Sequence, residues 1–177
     1  IKKNNTKYFL HPKNIVTMNM AFKKKLLFEK NIFFYEKFNM YGFEDYEFGY
    51  RLKENNLKMM ACSPSITHYD ERSLKEYLNK IKFVGFEGGH YLVKINKKAS
   101  LANNFIKLQN SMFARILRKS SFILKILIFL EEKFVFFEKK LLFPNFMYKV
   151  MIANAYLIGY FMSDNKKNDK NFPQWYK

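Results

Sequence analysis

The sequence predicts an α/β chain, more narrowly an α+β fragment, that continues into an α-helical extension. Two short runs rich in β-forming residues, residues 15–22 and 57–62, alternate with segments of helical periodicity in the first part of the chain. From residue 100 to residue 162, apolar side chains recur every three or four positions, as on one face of a helix. We therefore expect domains at residues 1–98 and 99–162, followed by a polar tail at 163–177.

The composition is basic and aromatic. The chain has 32 Lys and Arg against 15 Asp and Glu, a formal net charge of +17, and 19% of its residues are aromatic. A basic chain suits anionic partners such as nucleic acid, acidic lipid headgroups or sugar diphosphates. The basic residues are scattered among apolar ones and match no nucleic-acid-binding motif, so nucleic acid is not expected as a partner. The single cysteine, Cys62, excludes an internal disulfide and is compatible with a cytoplasmic location.

Local patterns define the elements of the first part. Residues 15–22 predict a strand, residues 23–29 a short helix, and residues 31–40 an aromatic loop or short helix. Residues 57–62 predict a second strand, after a helix that ends at Asn55-Asn56. Aromatic rings such as those of residues 31–40 belong more often to a core than to a sugar-binding surface.

Helices dominate the rest of the chain. Ser73 and Glu76 have the spacing of a capping box, which opens a helix. Gly85, Gly88 and Gly89 are expected to break that helix and to form a flexible joint between two helical pieces.

The region from residue 100 to 162 is long, apolar and divided by Pro144. None of its runs reaches the roughly 18 uncharged residues of a spanning helix. Basic residues beside large apolar faces favour an interfacial helix on an anionic membrane surface. The alternative is a helical hairpin that packs on the first domain or on a second copy of the chain.

The most distinctive stretch of the sequence is residues 41–52, in which the adjacent acids Glu44 and Asp45 are surrounded by apolar side chains. In a helix, Asp45 would lie in the first turn, on or beside the buried face that also carries Phe48, and Glu44 would point away from it. Acidic side chains are favoured at a helix N-terminus by its free N–H groups. The simplest interpretation is therefore a solvated helix start.

Three motifs occur in a fixed order: Asn19-Met20-Ala21-Phe22-Lys23-Lys24, the aromatic run at residues 34–38, and residues 41–52 with Glu44-Asp45 near its start and Arg51-Leu52 at its end. Together they resemble the second half of a family 2 glycosyltransferase domain of the GT-A type, most closely its galactosyltransferase-type C-terminal segment. The resemblance covers about residues 17–69. Phe33, Tyr35 and Phe43 stand where that family usually has Gly, Asp and Gly.

The resemblance implies a catalytic role for the two acids. Asp45 would be the general base that takes a proton from an acceptor hydroxyl in an inverting transfer. Glu44 would orient the acceptor hydroxyls or hold the loop, and Arg51 would either reach a phosphate or, as we favour, pair with Glu47. The expected acceptor-binding and substrate-binding residues are Asn19, Met20, Tyr41, Gly42, Phe43 and Arg51. For Asn19, a buried amide satisfied by backbone is an equal alternative.

The resemblance also implies a divalent metal, Mn²⁺ or Mg²⁺, on the diphosphate of the sugar donor. Such domains hold it with an Asp-x-Asp pair, and this chain contains no Asp-x-Asp. His68 follows the second predicted strand and would complete the metal shell, although a histidine there is also often structural. Because the nucleotide-binding half is missing and Ile1 is not an initiator Met, we expect the chain to be the acceptor-side part of a longer enzyme or the product of a truncated reading frame.

The predicted function is thus hexosyl transfer from a nucleotide-sugar donor to a glycan or polysaccharide acceptor. The expected location is the cytoplasm, at the periphery of the inner face of the membrane, and the fragment by itself is expected to be inactive. The alternative is a non-catalytic basic module that binds an anionic membrane surface or nucleic acid.

Overall fold

The computed structural model describes residues 8–11, 14–17, 20–36, 38, 41–61, 69 and 71–165. The chain divides into two compact units, Ile1–Asp70 and Glu71–Lys177. Residues 71–98, which were expected in the first domain, pack within the second unit against its last helix.

In its described residues, the first unit contains two helices and two very short strands. Its described elements are β1 (Tyr8–Phe9), α1 (Lys24–Glu29), α2 (Glu44–Glu54) and β2 (Met60–Ala61). β1 pairs with β2 in antiparallel register, Tyr8 opposite Ala61 and Phe9 opposite Met60. The apolar core consists of Ile15, Leu27, Ile32, Phe48 and Leu52.

The predicted strand at residues 15–22 is wrong for its described residues, 15–17 and 20–22, which have no strand pairing. Ile15 is buried in the core, Val16 is exposed, and Thr17 bonds to a side chain of α2. Thr17 therefore hydrogen-bonds to a helix instead of a neighbouring strand. The prediction for residues 57–62 is confirmed only in part, at β2. Across the described residues the chain is mostly helical and strand is limited to the β1–β2 pair, so the expected α/β class is not shown and only the helical extension is.

The second unit is entirely helical in its described part, and this confirms the helical extension. Its elements are α3 (Leu74–Phe83), a π-helical turn (Val84–Gly88), α4 (Gly89–Ile95), α5 (Lys97–Ala102), α6 (Asn104–Asn110), α7 (Met112–Leu117), α8 (Ser121–Glu138) and α9 (Asn145–Asn165). The predicted capping box at Ser73 and Glu76 is present. Asn96, Asn103, Ser111 and Ser120 cap the helices that follow them. None of the described helices is long and apolar enough to cross a membrane.

The expected flexible joint at Gly85–Gly89 is wrong, because the backbone continues through these residues as a π turn between α3 and α4. Gly85 lies against the backbone carbonyl of Tyr156, and Gly159 of α9 lies against the carbonyl of Lys82. A Cβ at either glycine would overlap with the facing carbonyl. These glycines therefore permit close packing of two helices, and they are not points of bending.

A buried ion pair also fastens α8 to α3. Lys82 Nζ lies 2.5 Å from Glu131 Oε1, and both side chains are nearly inaccessible to solvent. Lys82 also donates a hydrogen bond to Asn79. Removing one partner of such a pair leaves a buried charge without compensation, so this contact fixes which side of α8 faces the interior.

Candidate functional site

A tight turn leads into α2 and positions the two acids. Gly42 has φ 104° and Phe43 has φ 71°, both in the left-handed region. The backbone N–H of Gly42 donates a hydrogen bond of 2.6 Å to Glu44 Oε2. Of the two roles considered for Glu44, the geometry favours that of holding the loop. As predicted, Asp45 lies in the first turn of the helix.

The carboxylate of Asp45 is half-buried and held by Thr17. The hydroxyl of Thr17 donates to Asp45 Oδ1 at 2.6 Å, and its backbone N–H donates to Oδ2 at 3.2 Å. A carboxylate offers about four acceptor positions, so each oxygen retains a lone pair after these bonds. These two bonds from Thr17 fix the orientation of the carboxylate.

Arg51 is committed to protein contacts. Its Nε donates to both carboxylate oxygens of Glu47, at 2.8 and 3.0 Å, and Glu47 is only 2% exposed. A second guanidinium nitrogen donates to the carbonyl of Phe33 at 2.6 Å. The favoured pairing with Glu47 is confirmed, and Arg51 ties α2 to the loop before it.

An aromatic depression of about 200 Å³ lies beside α2. The ring of Phe34 stacks on that of Phe48 with centroids 4.2 Å apart, and Phe28 meets Phe33 edge to face at 4.9 Å. Lys24 Nζ lies 5.2 Å from the centre of the Phe28 ring and supplies the charged group at this surface. The lining residues are Phe22, Lys24, Leu27, Phe28, Phe33, Phe34 and Phe48. Flat apolar rings with a nearby cation suit the C–H face of a sugar that also carries a negative group.

The remaining predicted site residues have mixed outcomes. Tyr41 is 46% exposed at the start of the turn, whereas Met20 is partly buried and packs against the core of the first unit. Asn19 and His68 lie outside the described residues. Within the part of the chain that the structure describes, no three His, Cys, Asp or Glu side chains are grouped as a metal site would require.

Burial, with a smaller contribution from Tyr50, raises the pKa of Tyr46, the residue next to Asp45. The phenol therefore stays protonated at neutral pH and adds no charge beside the two acids.

Thr17 is the site residue that sequence reasoning missed. It stands 28 positions before Asp45, and nothing in a β-rich run distinguishes a hydroxyl that faces a strand from one that faces a helix. The available signal was its position at the start of the segment that leads to Asn19-Met20-Ala21-Phe22.

No protein-family model, curated protein or solved structure matches this chain.

Proposed function

We propose that the first unit is the acceptor-side part of an inverting glycosyltransferase of the GT-A type, with Asp45 as the general base. The observation that carries this proposal is the Asp45 carboxylate, half-buried in the first turn of α2 and oriented by two hydrogen bonds from Thr17. The order of the three motifs adds to it, since the Asn19–Lys24 segment, the aromatic run and the acidic helix follow one another as in family 2 glycosyltransferases.

In the proposed reaction an acceptor hydroxyl attacks the anomeric carbon of a nucleotide sugar. The hydroxyl oxygen forms the new bond to that carbon, and the bond from the carbon to the departing diphosphate breaks with its electron pair on the diphosphate oxygen. The hydroxyl proton passes to Asp45, because the hydroxyl is a weak nucleophile at neutral pH. Glu44 keeps the turn at Gly42 closed, and Arg51 holds the aromatic loop through Phe33.

A divalent metal bound with the donor would neutralise the charge that develops on the leaving diphosphate. The described residues provide no ligand set for it. The roles assigned to this chain therefore involve protein groups alone, and the expected ligand His68 lies outside the described residues.

The test is sugar transfer from UDP-sugars to glycan acceptors by the full-length gene product. General-base catalysis contributes on the order of 10²–10⁴ to a rate, so Asp45→Asn should lower turnover by at least about 100-fold. Glu71→Gln, at an exposed position of the second unit, is the matched loss of a carboxylate and should leave turnover unchanged.

Full activity of Asp45→Asn would remove Asp45 from the role of base. Circular dichroism and thermal unfolding of both variants establish whether a lost activity is a lost fold. A wild-type product that retains the configuration of the donor would contradict the inverting mechanism.

A further inference from the structure

The outward side of α8 is a continuous apolar surface. Six large side chains, mostly phenylalanine, recur along it at spacings of three, four and seven, which places them on one side of an α-helix. All of them are exposed, with Phe129 and Phe136 each 55% accessible. We define the α8 face by these residues: Phe122, Ile126, Phe129, Leu130, Phe136 and Phe137.

Cations are interleaved with these rings. Lys125 and Lys133 are exposed at the same helical spacing as the α8 face, and Lys140 is exposed in the turn just after the helix. Lys133 Nζ lies 5.2 Å from the centre of the Phe129 ring, and Lys140 Nζ lies 4.8 Å from that of Phe136. Near this face the exposed acid of α8 is Glu132, which lies at its edge.

The opposite side of α8 is fixed to the protein. Glu131 pairs with Lys82, and Asn154 of α9 donates a hydrogen bond to the carbonyl of Leu127. Phe134 is buried in the core of the second unit. The helix therefore presents its apolar face outward with its axis parallel to the surface of the unit, and it is not free to turn that face inward.

We propose that the α8 face binds an anionic lipid surface, with α8 lying flat in the headgroup region. Phenylalanine rings enter the boundary between headgroups and acyl chains, and the lysines extend to the lipid phosphates. Each lysine near an anionic leaflet adds favourable energy, which an electrically neutral apolar groove would not supply. Just after the helix, Leu141 and Leu142 are also exposed and add apolar side chains at its C-terminal end.

The charge pattern disfavours a second copy of the chain as the occupant. A two-fold interface places the same patch on both subunits, so both sides of it would carry the positive charge of Lys125, Lys133 and Lys140. With acid present only at the edge of the face, no complementary charge would offset that repulsion. An anionic membrane supplies both an apolar layer and negative charge.

The experiment measures binding of the full chain to vesicles of phosphatidylcholine alone and of phosphatidylcholine with about one third phosphatidylglycerol. The wild type should bind the anionic vesicles at least about tenfold more tightly than the neutral ones, with affinity that falls as salt is added.

Two pairs of variants distinguish the apolar contribution to vesicle binding from the electrostatic contribution. Phe129→Ser/Phe136→Ser should lower binding to anionic vesicles by at least about tenfold, whereas Val93→Ser/Leu101→Ser, at exposed apolar positions outside the face, should not. Lys125→Gln/Lys133→Gln should weaken binding more than Lys75→Gln/Lys107→Gln, which removes the same charge elsewhere in the second unit. All of these positions are exposed, and circular dichroism verifies that the variants fold.

The proposal is overturned if the wild type does not bind anionic vesicles. It is also overturned if Phe129→Ser/Phe136→Ser binds them as tightly as the control Val93→Ser/Leu101→Ser. It is also overturned if light scattering shows a dimer that Phe129→Ser/Phe136→Ser dissociates, or if a single-stranded oligonucleotide displaces the vesicles through the same residues. The inference depends on the second unit alone, so the outcome is independent of whether Asp45 is a catalytic base.

Discussion

Thr17 holds the carboxylate of Asp45 with two hydrogen bonds, one to each oxygen, across 28 residues of sequence. The bond from the hydroxyl is 2.6 Å long, at the short end of the range for O–H···O hydrogen bonds. The segment before Asn19 and the start of α2 are thereby joined at the acid that we propose as the base.

Thr17→Val tests this bond with little change of shape. The variant keeps the backbone N–H bond and loses the hydroxyl donor, so the free energy of unfolding should fall by about 1 kcal/mol, the typical net contribution of one hydrogen bond. Thr17→Ser keeps the hydroxyl and is the matched control. Chemical denaturation of both variants measures the difference, and equal stability of the valine and serine variants would show that the hydroxyl contributes nothing.

Phe43 combines a strained backbone with a half-buried ring. A non-glycine residue in the left-handed region costs about 1 kcal/mol, and glycine does not pay that cost. Phe43→Gly should therefore be more stable than Phe43→Ala by about 1 kcal/mol, although both lose the ring. Thermal or denaturant unfolding of the two variants measures this, and an alanine variant as stable as the glycine variant would contradict strain at φ 71°.

Arg51 neutralises a buried acid. Arg51→Met leaves Glu47 without its partner, and breaking a buried pair of this kind should lower the free energy of unfolding by about 2–4 kcal/mol. Lys53→Met, on the exposed side of the same helix, is the control and should change stability by less than about 0.5 kcal/mol. If both variants lose the same small amount, the pair with Glu47 does not stabilise the first unit.

Tyr156 makes the second unit sensitive to alkali. Burial, with a smaller contribution from Tyr160, raises the pKa of Tyr156 well above its ordinary value of 10.0, and its hydroxyl donates to Gln109 at 2.7 Å. The unfolded chain therefore loses this proton at lower pH than the folded chain. The stabilisation is complete below about pH 10 and falls above it by about 1.4 kcal/mol per pH unit.

Tyr156→Phe removes that proton. The variant should be less stable than the wild type at about pH 9 because it lacks the bond to Gln109, and this deficit should shrink or reverse by about pH 11. Tyr69→Phe, at a side chain that is 88% exposed, controls for the general effect of alkali. A deficit that stays constant with pH would mean that Tyr156 titrates in the folded chain as it does in the unfolded one.

Local signals were sufficient to predict much of the helical structure. The capping box at Ser73 and Glu76 and the stop at Asn55-Asn56 act within a few residues, and each determines a helix end directly. The pairing of Arg51 with Glu47 follows from a spacing of four on a helix. The acidic first turn of α2 was also predictable, because acidic side chains are favoured beside the free N–H groups of a helix N-terminus.

Contacts distant in sequence were not predictable. The β-forming residues at 15–17 have a propensity for strand, but Thr17 donates a hydrogen bond to Asp45 of a helix. Strand propensity does not indicate which element will pack beside a segment. The glycines at 85 and 89 were expected to loosen the chain because glycine weakens an isolated helix. Their role depends on packing against α9, because a Cβ at Gly85 would overlap with the backbone carbonyl of Tyr156 in that helix.

The close approach of Gly159 to the carbonyl of Lys82 has a consequence for motion within the second unit. Two backbones in contact leave no room for water to enter, so the amide hydrogens of α9 near Gly159 and of the π turn are shielded until both helices separate. These amides should exchange with deuterium only when the whole unit opens, and they should be the slowest in the chain. The slowest hydrogen exchange in the chain would then occur where glycines let two backbones touch, although glycine has no side chain to bury.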